Sequence, residues 1–311
     1  MKIYTVIVTY NGLHKNWIEK CLTSLLKSSL PTEIIVIDNN SKDQTVEFIG
    51  QNFPPVTVIK NQENAGFGKA NNQGFEYAIK QGADYVFLLN QDAYVNADTL
   101  QMLVTAHQND EDFGVLSPIH FNYQGTELEY YFSVFMGLDR TPGFYSDHIL
   151  GNPKSIYKTK FVNAAAWLVP VKVLLEVGGF DSVFYHYGED DNFCQRVRYH
   201  KYNIGVVSGA HIYHDSNIRI NDEVPVGSKK YFFEYENYLK IRYGDINNEQ
   251  GKSYIYERNT ILVNILKGVV SFDQREIRAN ISKLGLLKRT FNLLSDSRAK
   301  NKTTGHHYLE L

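Results

Sequence analysis

Four short apolar runs open the chain, separated by stretches with a helical repeat. Residues 3–10 (IYTVIVTY) form the unbroken β-branched run expected of a strand covered on both faces. Residues 33–38 (EIIVID), 56–60 (VTVIK) and 85–90 (YVFLLN) repeat the pattern. Between them, residues 17–28 carry Ile18, Cys21, Leu22, Leu25 and Leu26 at helical spacing. Residues 41–52 predict a second helix with Ser41 as N-cap and Asp43 in its first turn. A third helix is predicted around 65–81. This alternation predicts an α/β fold: a mostly parallel sheet, right-handed crossovers and helices on both faces. Ligands of such sheets bind beyond the carboxyl ends of the strands.

Those ends are polar. The first run closes on Thr9, Tyr10 and Asn11, the second on Asp38, Asn39, Asn40 and Ser41, and the fourth on Asn90, Gln91 and Asp92. The third leads into the polar loop NQENAGFGKANNQG, residues 61–74. Turn formation alone explains any single end. Four ends that agree point to a binding rim. Tyr10 offers a flat ring on which a base could stack. Asp38 could accept from a base imide or ribose hydroxyls, or serve as a helix-start carboxylate. Gly66, Gly68, Lys69 and Asn72 sit at a helix start, where backbone N–H groups suit phosphate and where an ordinary loop would read the same.

Composition narrows the field. With 311 residues and 43% hydrophobic content the chain can build one large domain or a domain with an appendage. A net charge of −2 gives no pull toward nucleic acid. Cys21 and Cys194 fall in separate helical segments and suggest a reducing compartment without disulfides. The N-terminus lacks a signal-peptide layout, and no run of eighteen apolar residues occurs, so a soluble cytoplasmic protein is expected. The single glycine after the first run and the absence of a G-x-x-x-x-G-K-S/T motif argue against dinucleotide and P-loop schemes.

VIVTYNG, IIVIDNNSKDQT, NAGFGKANNQG, FLLNQDAYV and VGGFDSVFYHYGEDDNFCQRVR occur here in the order seen in family-two glycosyltransferases. The chain resembles these inverting enzymes of GT-A fold over roughly residues 1–245, and is most similar in motif to bacterial rhamnosyltransferases of polysaccharide assembly. The resemblance implies a nucleotide-sugar-binding half at 1–110, an acceptor-binding half at 111–245, and a helical C-terminal extension at 246–311. It implies a UDP- or dTDP-sugar donor, a saccharide or lipid-linked acceptor, and a divalent metal, Mn or Mg. Thr9, Tyr10 and Asn11 would then touch base and ribose, Asp38 the nucleotide, and Gly66, Lys69 and Asn72 the diphosphate side. Asp92 would ligate the metal. Asn90 stands where GT-A enzymes commonly carry the first acid of Asp-x-Asp, and would contact ribose or a sugar hydroxyl.

In the second half, residues 161–170 (FVNAAAWLVP) resemble the strand placed beneath the donor sugar, with Trp167 expected in the core. Glu189, Asp190 and Asp191 open a helix that carries Phe193, Cys194 and Val197 on one face. Three acids exceed what a helix dipole needs, which favours a functional role for at least one. The resemblance assigns the general base to Asp190. Asp191 rivals it, because it occupies an apolar position of the motif and Asn192 replaces the motif's last acid. His214 is the better match to a metal-joining histidine, with His211 three residues earlier. A sugar-1-phosphate nucleotidyltransferase or a non-catalytic nucleotide- or saccharide-binding protein are the other classes compatible with the rim.

Residues 229–244 read as an aromatic-rich helix. Residues 274–302 hold eight Lys or Arg against two acids, with Ile277, Ile281, Leu284, Leu287, Phe291 and Leu294 in a helical stripe. Such a helix can lie on the inner face of an anionic membrane, pack on the rest of the chain, or form a homodimer contact.

Overall fold

A computed structural model of the chain describes residues 1–216 and 224–311. Among the described residues six strands run parallel: β1 (Ile3–Thr9), β2 (Glu33–Asp38), β3 (Thr57–Lys60), β4 (Tyr85–Leu89), β6 (Phe113–Asn122) and β9 (Asn203–His214). Three run against them: β5 (Ala93–Val95), β7 (Ile156–Thr159) and β8 (Ala166–Pro170). The order is β3-β2-β1-β4-β8-β6-β9-β5, with β7 on the free edge of β9 beside β5. This is the GT-A arrangement expected, with β8 inserted antiparallel between the two parallel groups.

Strand alternation sends side chains into two cores. Val6, Ile35, Ile37, Val86 and Leu88 face α3 (Phe67–Lys80), α7 (Val171–Val177) and α8 (Glu189–Tyr199). Ile7, Ile34, Val36, Phe87 and Leu89 face α1 (Trp17–Leu26), α2 (Thr45–Asn52) and α4 (Thr99–Asn109). α3 lies so close to the sheet that a Cβ on Gly74 would stand 2.2 Å from Val6 Cγ1, so only glycine fits there.

Several boundaries move from their sequence-based positions. α2 starts at Thr45 rather than 41, because Ser41 belongs to the rim: its N–H donates to Asp38 Oδ2 (3.1 Å) and its hydroxyl accepts from Asn11 N–H (2.9 Å). Asp43 instead accepts from the Thr45 N–H at 3.1 Å. The strand expected over 161–170 begins only at Ala166, since a tight turn (Ala165 N–H to Asn163 O, 2.9 Å) breaks its first half. The stretch between β6 and β8 also holds α5 (Tyr130–Phe135), α6 (Phe144–Ile149) and β7, for which no sequence expectation was made.

α9 (Lys229–Gly244), α10 (Gln250–Val270) and α11 (Gln274–Asn301) share a third core of Leu239, Tyr243, Ile261, Leu287 and Leu294. Leu287 and Leu294 are fully buried and Leu284 and Phe291 pack beside them, so this part of the α11 stripe lies on α9 and α10, while Ile281 is 55% exposed. None of the described helices is long and apolar enough to cross a membrane.

One buried cation fixes the turn that leads to the three acids. Arg196, on α8, donates to Val177 O (2.7 Å), Gly179 O (2.6 Å) and Asn192 Oδ1 (2.9 Å) and is inaccessible to solvent. Above it Trp167 stacks on Phe180 and Phe193, with centroids 6.1 and 5.6 Å away. Arg196→Met would leave two buried carbonyls without donors. It should destabilise the fold by on the order of 3 kcal/mol, read as a lower urea midpoint; an unchanged midpoint would remove this account of the turn.

Candidate active site

The carboxyl ends of the strands enclose a cleft of about 430 Å³ lined by Val8, Tyr10, Asn39, Asn64, Gly66 and Phe67 on one side. Asn90, Gln91, Asp92, Tyr185 and His186 complete it. Tyr10 is 42% exposed at its mouth, the placement a stacking ring requires. Its neighbours hold the rim instead of lining it. Thr9 is buried and donates to Gln91 Oε1 at 2.6 Å. Asn11, at φ +51°, accepts from Lys42 N–H at 2.8 Å and donates its own N–H to Ser41.

Gln91 clamps the same segment from the other side. Its Oε1 accepts from the Tyr10 N–H (3.1 Å) and its Nε2 donates to Tyr10 O (3.2 Å). Behind the cleft, Asp38 is buried with Oδ2 on Ser41 N–H and Oδ1 without a protein partner. An orphaned buried carboxylate oxygen is costly unless something supplies a donor. Asn39 ties the third loop down, donating to Asn64 Oδ1 (3.0 Å) and Gly66 O (3.2 Å). Gly66, at φ +81°, passes under Tyr185, whose carbonyl would lie 2.4 Å from any Cβ there.

Besides Thr9, Asn11 and Asp38, two predicted contacts on α3 lie outside the cleft lining. Lys69 is exposed on α3 and is absent from the cleft lining. Asn72 is buried, with its amide committed to Phe180 N–H (2.7 Å), Phe180 O (2.8 Å) and Tyr308 O (3.2 Å). It latches α3 to the turn before α8, which leaves no group for a phosphate.

The two predicted metal ligands meet. β5 and β9 pair with Ala93 opposite His214, and Asp215 N–H donates to Asp92 O at 3.0 Å. That register sets His214 Nε2 3.4 Å from Asp92 Oδ1 and 3.5 Å from Asn90 Nδ2. Burial pulls the imidazole pKa down, but the hydrogen bond and charge of Asp92, with Glu129 and Asp215 further off, hold it above the usual histidine value. His211 is turned away, with Nε2 near Ser208 O at 3.2 Å. No group of three or more His, Cys, Asp or Glu able to hold a metal occurs among the described residues. The donor set is thus one carboxylate and one imidazole, which suits a divalent cation whose other ligands come from phosphate oxygens and water.

Glu189, Asp190 and Asp191 are not among the residues lining the cleft, but Asp190 is tied to the backbone strip beside it. Asn90 N–H donates to Ala165 O at 2.9 Å, while the N–H of the adjoining Ala164 acts on the Asp190 carboxylate. A helix N-terminus favours a carboxylate by about 0.3–1 kcal/mol, under one pKa unit. Burial outweighs it here. Burial first, and then Asp190, push Glu189 up to about 8. Asp190 is raised by burial against the opposing N–H groups of Asp191 and Ala164. Asp191 is raised by burial and by Asp190, with Arg140 pulling the other way. Sequence reading missed Gln91, Asn39, Asn64, Tyr185 and His186 as site residues. The polar FYHYG stretch before the acids was the available signal for the last two.

Fold and rim together define the GT-A class. The chain belongs to glycosyl transferase family 2, whose description matches residues 4–172. It is 23% identical over 211 residues to the low-salt glycan biosynthesis hexosyltransferase Agl10 of Haloferax volcanii, an alignment covering 68% of this chain and 65% of that protein. To the dTDP-rhamnosyl transferase RfbF of Shigella flexneri it is 26% identical over 117 residues, 38% of each chain. To the N-acetylglucosaminyl-diphospho-decaprenol L-rhamnosyltransferase of Mycobacterium tuberculosis it is 25% identical over 221 residues, covering 62% of this chain and 69% of that one. The chain thus spans less than two thirds of the first two relatives. Among solved structures, S. aureus TarS 1–349 in complex with UDP-GlcNAc superposes with TM-score 0.58 at 18% identity, over 97% of this chain and 89% of that one. GalNAc-T7 with UDP, GalNAc and Mn2+ superposes with TM-score 0.60 at 16% identity, over 84% and 51%.

The raised Glu189 value has a measurable consequence. The folded carboxyl keeps its proton to about pH 8, while the unfolded one releases it near 4.5. In that window the native state binds more protons, so this group's contribution to stability falls as pH rises, by up to about 1.4 kcal/mol per unit. Glu189→Gln should therefore flatten the decline of the urea midpoint between those values. Parallel wild-type and variant profiles would show that the carboxyl ionises normally.

Proposed function

We propose that the chain is an inverting glycosyltransferase that moves a sugar from a nucleoside-diphosphate donor to a hydroxyl of a saccharide or lipid-linked acceptor in cell-surface polysaccharide assembly. The observation that carries this reading is one backbone strip, Ala164–Ala165, bonded to Asn90 on one side and facing Asp190 on the other. It supports a donor end and a proton-accepting end of a single pocket. The names of the relatives support hexosyl or deoxyhexosyl transfer, with UDP or dTDP as carrier.

In this reading Tyr10 stacks on the base, and the free oxygen of Asp38 accepts from the base imide or ribose. Asn90 takes a ribose or sugar hydroxyl. Gly66 lets the backbone approach the diphosphate. Asp92 and His214 hold Mn or Mg, which supplies positive charge to the departing diphosphate when bound. Asp190, oriented by the N–H groups of Asp191 and Ala164, takes the acceptor hydroxyl proton. The acceptor oxygen bonds to the anomeric carbon as the bond to the diphosphate oxygen breaks, from the opposite face, which inverts that carbon. Positive charge on the ring at that moment favours an ionised carboxylate nearby. Residues 1–245 carry these steps and 246–311 form the extension. We place the enzyme in the cytoplasm, at the inner face of the membrane where a lipid-linked acceptor would be met.

Two experiments test this. Thermal shift with UDP and dTDP, with Mn or chelator, should show stabilisation that requires metal and disappears in Asp92→Ala. It should weaken as pH falls through the raised His214 value, because the protonated imidazole cannot ligate. Chelator-insensitive binding would end the metal assignment. Asp190→Asn should retain nucleotide binding and lose transfer by about 10²-fold or more, with wild-type turnover rising with pH as the acids ionise. Near-normal turnover in Asp190→Asn, with loss in Asp191→Asn, would move the base to Asp191.

A further inference from the structure

α10 buries one side against α9 and α11 and leaves the other uncovered. Leu262, Val263, Leu266, Val269 and Val270 recur at helical spacing on the open side, with Ile255 further along it beyond the exposed Asn259. Leu266 is 64% exposed and Val270 81%, and Phe272 at the turn to α11 is 90% exposed. Isolated exposed apolar residues need no explanation, but a continuous helical face does. We propose that this face of α10 seats on an anionic lipid surface, with its apolar side chains in the headgroup boundary and its basic borders on the lipid charges.

Charge selects this occupant. Arg258 and Lys267 are exposed and border the apolar arc on its two sides, where long cationic side chains reach lipid headgroups. Glu257, the one acid of α10, is turned inward and accepts from the hydroxyls of Tyr235 and Tyr243, both at 2.8 Å. Arg278 and Lys288 add exposed positive charge on α11. Residues 250–302 carry eleven Lys or Arg against four acids, a segment charge of +7 in a chain of net −2. A second copy of this face would set like-charged borders against each other in a two-fold contact, which opposes self-association. An anionic surface attracts each nearby cation by about 1 kcal/mol. With no described helix long and apolar enough to span, the geometry is that of a helix lying in the interface.

Sedimentation of the full chain with phosphatidylcholine vesicles, with and without phosphatidylglycerol, tests the proposal. Wild type should partition onto the mixed vesicles, weakly onto the neutral ones, and be released by salt. Leu266→Glu/Val270→Glu should lower partitioning by about tenfold or more at an unchanged urea midpoint. Arg258→Gln/Lys267→Gln should reduce the preference for phosphatidylglycerol. Absent wild-type binding, or equal binding by Leu266→Glu/Val270→Glu, overturns the proposal. So does a wild-type dimer in light scattering that this variant converts to monomer, because the face would then be a self-contact.

Discussion

The pairing of β8 with β4 is the constraint on which the site depends. β8 enters antiparallel with Ala166 opposite Leu89, and the ladder ends as Asn90 N–H reaches Ala165 O. That one register sets the Asn90–Asp92 turn on one side of the 163–165 loop and the start of α8 on the other. A slip of one residue would turn Trp167 out of its core and carry the loop away from both. The aromatic stack of Trp167, Phe180 and Phe193 and the Arg196 contacts act on the same joint, locking α8 to β8 and to the turn before it.

The Asp92–His214 pair and the acids at the start of α8 use opposite electrostatics. Beside Asn90, Asp92 holds the His214 imidazole above its ordinary value, because proximity outweighs burial for a pair of opposite sign. At the α8 end, three acids share one buried helix start, and burial outweighs the helix dipole. In the proposed reading the first arrangement would exchange a proton for a cation. The second holds protons until the pH or a bound charge favours release. Such opposed environments are the physical signature of groups kept for chemistry rather than for stability.

Much of this was legible in the sequence because strand ends announce themselves. Buried strands must be apolar along their length, so Tyr10, Asp38, Asn90 and Asp92 stood out where the apolar pattern stopped. His214 came from the family resemblance, and the end of the apolar strand only favoured it over His211. At the helix start Gly66 lines the cleft while Lys69 and Asn72 do not, for a physical cause: lysine and asparagine suit both a phosphate cradle and a surface or latching role. Only tertiary packing shows that Asn72 is spent on Phe180 and Tyr308. Gln91 was passed over because its work is to hold the Tyr10 backbone, a contact between residues 81 positions apart. The apolar stripe of α11 is legible from its repeat, but periodicity cannot say what covers a face. Leu287 and Leu294 are packed, and the larger uncovered face lies on α10.

The C-terminal extension is fastened to the site from several directions. Asp181, buried in the turn before α8, accepts from Val183 N–H (3.0 Å), Ser297 Oγ (2.5 Å) and Asn301 Nδ2 (2.9 Å). Arg298 donates to the carbonyls of Tyr243, Asp245 and Asn248, pinning the α9–α10 connection to α11. The last residues then return to the first half, with Tyr308 O on Asn72, Gly179 N–H on His307 O, and Leu309 in the main core. A segment held only by its own small core could swing relative to the sheet. One bonded to the turn that carries the catalytic candidates cannot do so without breaking buried polar contacts, each costing about 1–3 kcal/mol. Whatever α10 rests on therefore fixes the orientation of the pocket as well as its location.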